Sequence, residues 1–116
     1  MLADIRLREL DWAVVAQLTG EIDQSNADSI RQALVDTVTN CALRIVLDLS
    51  GVDYLDSGGI RLIYQLREQL RARGQMLELV VPATSPTSDT LRMAGVLKQL
   101  KAKETLDEAR GERPSI

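Results

Sequence analysis

The feature that most constrains the fold is a strand, a helix and a second strand in close succession. Leu43-Arg44-Ile45-Val46-Leu47-Asp48-Leu49 is apolar and β-branched enough for a central strand, ending at Ser50-Gly51. From Ser57 an apolar side recurs at Ile60, Ile63, Leu66 or Arg67, and Leu70, the spacing of a long helix. Arg71 and Arg73 suit its last turn and Gly74 is a natural stop. Met76 to Val81 reads as the next strand, closed by Pro82. Neighbouring parallel strands need a crossover of this kind, so the strands around Ile45 and Leu79 are expected to run parallel.

The segment before that unit points to a mixed sheet. Ile5 to Leu7 and Trp12 to Thr19 read as two strands joined by a tight turn near Glu9-Leu10-Asp11. The second alternates Trp12, Val14, Ala16 and Leu18 against Ala13, Val15, Gln17 and Thr19, which suggests an antiparallel hairpin. Ser25-Asn26-Ala27-Asp28 has the form of a capping box, and Ala27, Ile30, Leu34 and Val38 follow as the buried stripe of a helix. After the crossover unit, Pro86-Thr87-Ser88-Asp89 opens a short helix with Leu91 and Ala94 inward and Gly95 as its stop. Val96 to Leu100 reads as a last edge strand and Glu104 to Arg110 as a weak terminal helix. The expected architecture is α/β, a single mixed sheet of four to five strands packed with about four helices. Residues 1–110 are expected to form one domain and residues 111–116 a flexible tail.

Composition removes several function classes. A chain of 116 residues, 45% hydrophobic and 27% charged, reads as one globular domain. Its net charge of -3 supplies no basic field for a nucleic-acid backbone, so direct DNA or RNA binding is not expected. No apolar run approaches the roughly 20 residues of a membrane span, and the start lacks the regions of a signal peptide. A cytoplasmic protein without membrane insertion is the expectation. Cys41 is the only cysteine and there is no histidine, so neither a disulfide nor a cysteine or histidine metal cluster can form within the chain. Cys41 reads as a small buried or partly buried residue. No phosphate-binding Gly-Lys-Ser/Thr loop is present, so no cofactor is expected and nucleotide chemistry belongs to a partner.

The stretch Leu55-Asp56-Ser57-Gly58-Gly59-Ile60 draws attention because Asp-Ser-Gly-Gly surrounds the nucleophile of chymotrypsin-like proteases. That nucleophile needs a histidine as its base, and this chain has none. Two readings of Ser57 remain open from chemistry alone. As the N-cap of the long helix it would satisfy a free amide. As a phosphate acceptor it would gain about -1.5 to -2 charges at a helix start that tolerates an anion. Gly58 and Gly59 sacrifice helix propensity but let another backbone approach closely, which hints at a contact surface.

Four successive blocks carry a family resemblance. Leu18-Thr19-Gly20-Glu21-Ile22-Asp23, Ile45-Val46-Leu47-Asp48-Leu49-Ser50-Gly51-Val52, Leu55-Asp56-Ser57-Gly58-Gly59-Ile60 and Leu91-Arg92-Met93-Ala94-Gly95-Val96 resemble the signatures of the STAS domain. The likeness is greatest to the bacterial anti-sigma factor antagonists and extends from about Ile5 to Leu100. It implies a non-enzymatic protein whose partner is an anti-sigma factor serine kinase of the GHKL ATPase type. ATP and magnesium belong to that kinase. The resemblance also implies that Ser57 is the phosphate acceptor, that the bare antagonist binds the kinase, that phosphorylation releases it, and that a serine phosphatase resets it. The implied contact surface is Asp23, Asp56, Gly58, Gly59 and Arg61 around Ser57.

Two residues depart from the family pattern. Gly58 replaces the usual Ser or Thr after the acceptor, and Arg61 replaces a common Gly. Arg61 lies one helical turn beyond Ser57, placed to pair with a phosphoserine or with Asp56 when Ser57 is bare. Gly58 also supports an alternative, the STAS accessory subunit of a lipid-transporting ABC system. A STAS scaffold module in a signalling assembly is the third reading. Trp12 reads as a strand anchor, Tyr54 and Tyr64 as core, cover or interface residues flanking the helix start, and Arg67, Arg71 and Arg73 as a solvated helix face or a second contact surface.

Overall fold

The computed structural model describes residues 3–38 and 42–110, so Cys41 and the expected tail at 111–116 lie outside the described residues. The elements are β1 (Asp4–Glu9), β2 (Val14–Ile22), α1 (Ala27–Thr37), β3 (Arg44–Leu55), α2 (Ser57–Ala72), β4 (Met76–Val80), α3 (Ser88–Met93), α4 (Val96–Gln99) and α5 (Leu106–Arg110). The sheet order is β1-β2-β3-β4, with β1 antiparallel to β2 and the β2/β3 and β3/β4 pairs parallel. The expected hairpin, the crossover and the mixed sheet are all present.

Alternation along β3 decides the layers. Ile45, Leu47 and Leu49 join the main core with Ile30 and Leu34 of α1 and Leu62, Ile63, Leu66 and Leu70 of α2. Val46 faces the other way, into a smaller cluster with Ala13, Val15, Val80 and Ala109. A central parallel strand buried on both faces needs such a near-continuous apolar run. The α2 stripe runs through Leu66 and not Arg67, and Ile60 is only partly buried. On the smaller face, Arg44 forks Glu78 at 2.8 and 2.9 Å and donates to the Ala109 carbonyl at 2.9 Å. Its guanidinium carbon lies 4.7 Å from the Trp12 ring centroid, a cation–π contact that makes Trp12 an anchor immediately before β2.

Several expectations are corrected. β3 runs on past Ser50-Gly51 to Leu55, because its distal half still pairs with β2, as Thr19 with Gly51 and Ile22 with Leu55. Ala94 is exposed, and Leu91 and Val96 are the residues that reach the core. Val96 to Leu100 is not a strand. Gly95 takes a left-handed φ of 79°, which lets the chain turn and start α4, with Leu100 N–H donating to the Val96 carbonyl at 3.0 Å. The outer edge of β4 instead receives a single parallel bridge from Lys103 to Val80. The arginines expected to form a solvated face divide. Arg71 is exposed and pairs with Glu68 at 3.4 Å, whereas Arg73 donates to the carbonyls of Val35 and Val38 at 3.2 Å and ties α2 to the end of α1.

Candidate functional site

The site forms where β2 and β3 end side by side. Ile22 pairs with Leu55, and the Asp56 N–H donates to the Ile22 carbonyl at 3.2 Å. This register brings the loop after β2 against the start of α2. Within the loop, the Asp23 carboxylate accepts from the Ser25 hydroxyl at 2.5 Å and from its N–H at 2.9 Å. The Ser25 hydroxyl chiefly, then the Ser25 N–H, hold the Asp23 carboxyl below its ordinary value. Asp23 is therefore a fixed anion at neutral pH.

The capping box expected at Ser25 is replaced by another arrangement. Asn26 occupies the N-cap of α1 without a side-chain cap bond. Its Oδ1 accepts from the Asp23 N–H at 2.9 Å while its Nδ2 donates to the Glu21 carbonyl at 2.8 Å. Ser25 lies one residue ahead of that cap position, and its hydroxyl donates to the Asp23 carboxylate. Short polar side chains bonding nearby backbone compete with capping in this way.

At α2 the cap is Asp56, not Ser57. The Asp56 carboxylate accepts from the Gly58 N–H at 2.7 Å. Ser57 is thus the first helical residue, exposed and relieved of capping. Its Oγ accepts from Gln24 Nε2 at 3.2 Å, across 33 residues of chain. A hydroxyl that accepts there keeps its own proton for another partner.

The two glycines have separate packing reasons. A Cβ on Gly58 would stand 2.7 Å from both N and Cα of Gln24 and 3.0 Å from the Asp23 carbonyl carbon. The backbone that approaches Gly58 belongs to this chain's own Asp23–Gln24 loop, and Ser or Thr would not fit there unshifted. A Cβ on Gly59 would stand 2.5 Å from Leu55 Cγ. Both glycines are buried, while Asp23 and Asp56 are partly exposed and Arg61 is exposed. Arg61 makes no ion pair among the described residues, so the expected Arg61–Asp56 pairing is not formed. Tyr54, 51% exposed, is in register with Glu21 at the same end of the sheet. Tyr64 is half-buried and lines a groove with Arg31, Gln65, Glu68 and Gln69.

Sequence reasoning missed Gln24 and Asn26. The Asp-x-x-Asn spacing of Asp23 and Asn26 was a signal for a local polar turn; Gln24 had none, because its partner lies in a distant segment. Among the described residues no cluster of three or more His, Cys, Asp or Glu could hold a metal, and no helix is long and apolar enough to cross a membrane.

Residues 4–109 match the model of the STAS domain. The chain belongs to the STAS domain family. This STAS domain is 29% identical over 106 residues to the anti-sigma-F factor antagonist RsfB of Mycobacterium tuberculosis, covering 90% of this chain and 84% of RsfB. It is 31% identical over 67 residues to BtrV of Bordetella bronchiseptica, a match spanning 58% of each protein. It also superposes on the crystal structure of an anti-sigma factor antagonist from Mycobacterium paratuberculosis with a TM-score of 0.77 and 26% identity, covering 95% of this chain and 92% of that one.

Proposed function

We propose that this STAS domain is an anti-sigma factor antagonist, a regulatory binding protein and not an enzyme, switched by phosphorylation of Ser57. The observation that carries the reading is that Asp56 caps α2 and leaves the Ser57 hydroxyl exposed. A serine needed as a cap could be modified only at a cost to the helix, whereas this one can change without unmaking the fold. The names of RsfB and of the M. paratuberculosis structure support the same class of partner.

In the proposed cycle the bare protein binds an anti-sigma factor serine kinase of the GHKL type through the Asp23 loop, Asp56, Ser57 and Arg61. Gly58 and Gly59 contribute by letting the loop and the Leu55 side chain dock against α2. The kinase supplies ATP. The bond from Ser57 Oγ to the γ-phosphorus forms as the bond to ADP breaks, and the hydroxyl proton passes to a base of the kinase. The product carries about -1.5 to -2 additional charges beside the Asp23 carboxylate, and a partner surface adapted to the bare serine is repelled. A serine phosphatase restores the starting state.

The test uses Ser57→Ala as bait in native-host lysate to recover the kinase, followed by titration of the purified pair with ATP. Ser57→Ala is expected to stay bound, and Ser57→Asp to bind at least tenfold more weakly, about 1.4 kcal/mol. Equal affinity of the two variants would sink the switch. Recovery of an ABC transporter ATPase would favour the accessory-subunit reading. Gly58 is accounted for by its own loop and does not argue for that alternative.

A further inference from the structure

Arg61 is a cation that the fold leaves without a counter-charge. It is exposed and makes no ion pair among the described residues. Its neighbours on the surface of α2, at three and four residues to either side, are Ser57, Gly58, Tyr64 and Gln65, and none is charged at neutral pH. Of these, Ser57 alone gains a full negative charge by the modification proposed above. Helical side chains lean toward the helix N-terminus, so an arginine at position 61 lies back over the turn that begins at Ser57. The order is also the favourable one, with the anion four residues N-terminal to the cation.

A second donor comes from outside the helix. Gln24 Nε2 donates to Ser57 Oγ at 3.2 Å. The backbone behind it is tied to the same place, since Gln24 N and Cα come within 2.7 Å of where a Cβ on Gly58 would stand, and the Asp56 N–H holds the Ile22 carbonyl at 3.2 Å. A side-chain amide carries two N–H donors, so Gln24 can serve a phosphate oxygen from the position it already occupies.

We infer that Gln24 and Arg61 form an intramolecular receiver for the phosphate on Ser57, one donor coming from the loop after β2 and the other from the next turn of α2. The inference rests on the reading of Ser57 as the phosphorylated residue and adds what becomes of the group once it is attached. A guanidinium offers paired N–H donors that match phosphate oxygens. It also offsets the repulsion of the site, because Asp23, a fixed anion, and Asp56 both stand close to the added charge. Capture changes the contact surface twice. Phosphorylation adds an anion and at the same time withdraws the Arg61 side chain from a partner that met it in the bare state. Release then comes from a lost attraction as well as from a new repulsion.

The test installs phosphoserine at position 57 during translation, so no kinase enters the measurement, and follows the second ionisation of the phosphate by phosphorus NMR. The charged and titratable groups around it are Asp23 in the loop, Asp56 at the cap, Glu21 and Tyr54 at the strand ends, and Arg61; all but the residue under test stay constant. A nearby cation favours the dianion and lowers this pKa, ordinarily about 6. Arg61→Gln is therefore expected to raise it by about 0.5 and Gln24→Ala by about 0.2, with Arg61→Lys recovering most of the arginine effect. Both side chains are exposed, and circular dichroism verifies that each variant is folded. Identical titrations of the wild type and Arg61→Gln would overturn the receiver, and identical titrations of the wild type and Gln24→Ala would overturn its loop arm. Neither result touches the switch itself, which is read separately from the kinase affinities of Ser57→Ala and Ser57→Asp.

Discussion

Two polar constellations sit at different places on the same sheet, and they serve opposite ends. Around Arg44 the groups are nearly closed off from water: the side chains of Arg44 and Glu78 are 21% and 16% exposed, and the guanidinium is shared between a carboxylate, a carbonyl and an indole face. At Ser57 the groups are open, and the bonds fix the loop and the helix start while leaving one hydroxyl outward. Burial makes the difference. A shielded charge must be fully partnered, so its role is spent inside the molecule. A site at the rim can leave a reactive atom with a single weak partner.

That contrast can be broken from both sides. Arg44→Ala should have the largest effect on stability, about 2–3 kcal/mol by urea denaturation. It leaves the shielded Glu78 carboxylate without its fork and removes the cover over Trp12. A loss under about 0.5 kcal/mol would reduce the clasp to an ordinary surface pair. Gly58→Ala comes next, at about 1–3 kcal/mol, because the added methyl meets backbone atoms that cannot rotate aside. Its signature is a shift of the Gln24 and Ser57 amide resonances, and unchanged resonances would mean that the loop does not rest on Gly58.

Asp56→Ala should cost about 1 kcal/mol, the usual loss for an N-cap. Ser57→Ala should cost much less, and reversal of that order in parallel thermal melts would return the cap to Ser57. Smallest of all is Ser25→Ala, read by titrating Asp23 with NMR. In the wild type the Asp23 carboxyl titrates below its ordinary value, so its contribution is complete above that value and is lost as pH falls through the lower, folded one. Removing the hydroxyl should move the titration upward toward 3.8. No movement would assign the shift to something other than the Ser25 hydroxyl.

What could be read locally and what could not divide along physical lines. The α1 stripe at Ala27, Ile30, Leu34 and Val38 was legible because each of those positions repeats the helix period and is buried. The end of β3 was not, because Ser50 and Gly51 look like a turn and only the pairing of Gly51 with Thr19 and of Val52 with Gly20 carries the strand past them. Val96 to Leu100 has too few residues for its period to distinguish a strand from a helix, and the left-handed Gly95 settles the matter. At the site, Ser57 at a helix start and Asp23 nearby were legible from motif. Asp56 as the cap was not, since Asp and Ser in succession are equally good caps and the choice rests on where the strand ends.

By itself the sequence determined the crossover, the mixed sheet and the position of Ser57 at the first turn of a long helix, because hydrophobic period and helix punctuation are local properties of the chain. Only the tertiary structure decided that Gln24 reaches Ser57 and that the Asp23–Gln24 backbone rests on Gly58. Those contacts depend on the parallel register that sets Ile22 beside Leu55. Such a register is chosen by the packing of two segments far apart in the chain, and neither segment encodes it alone.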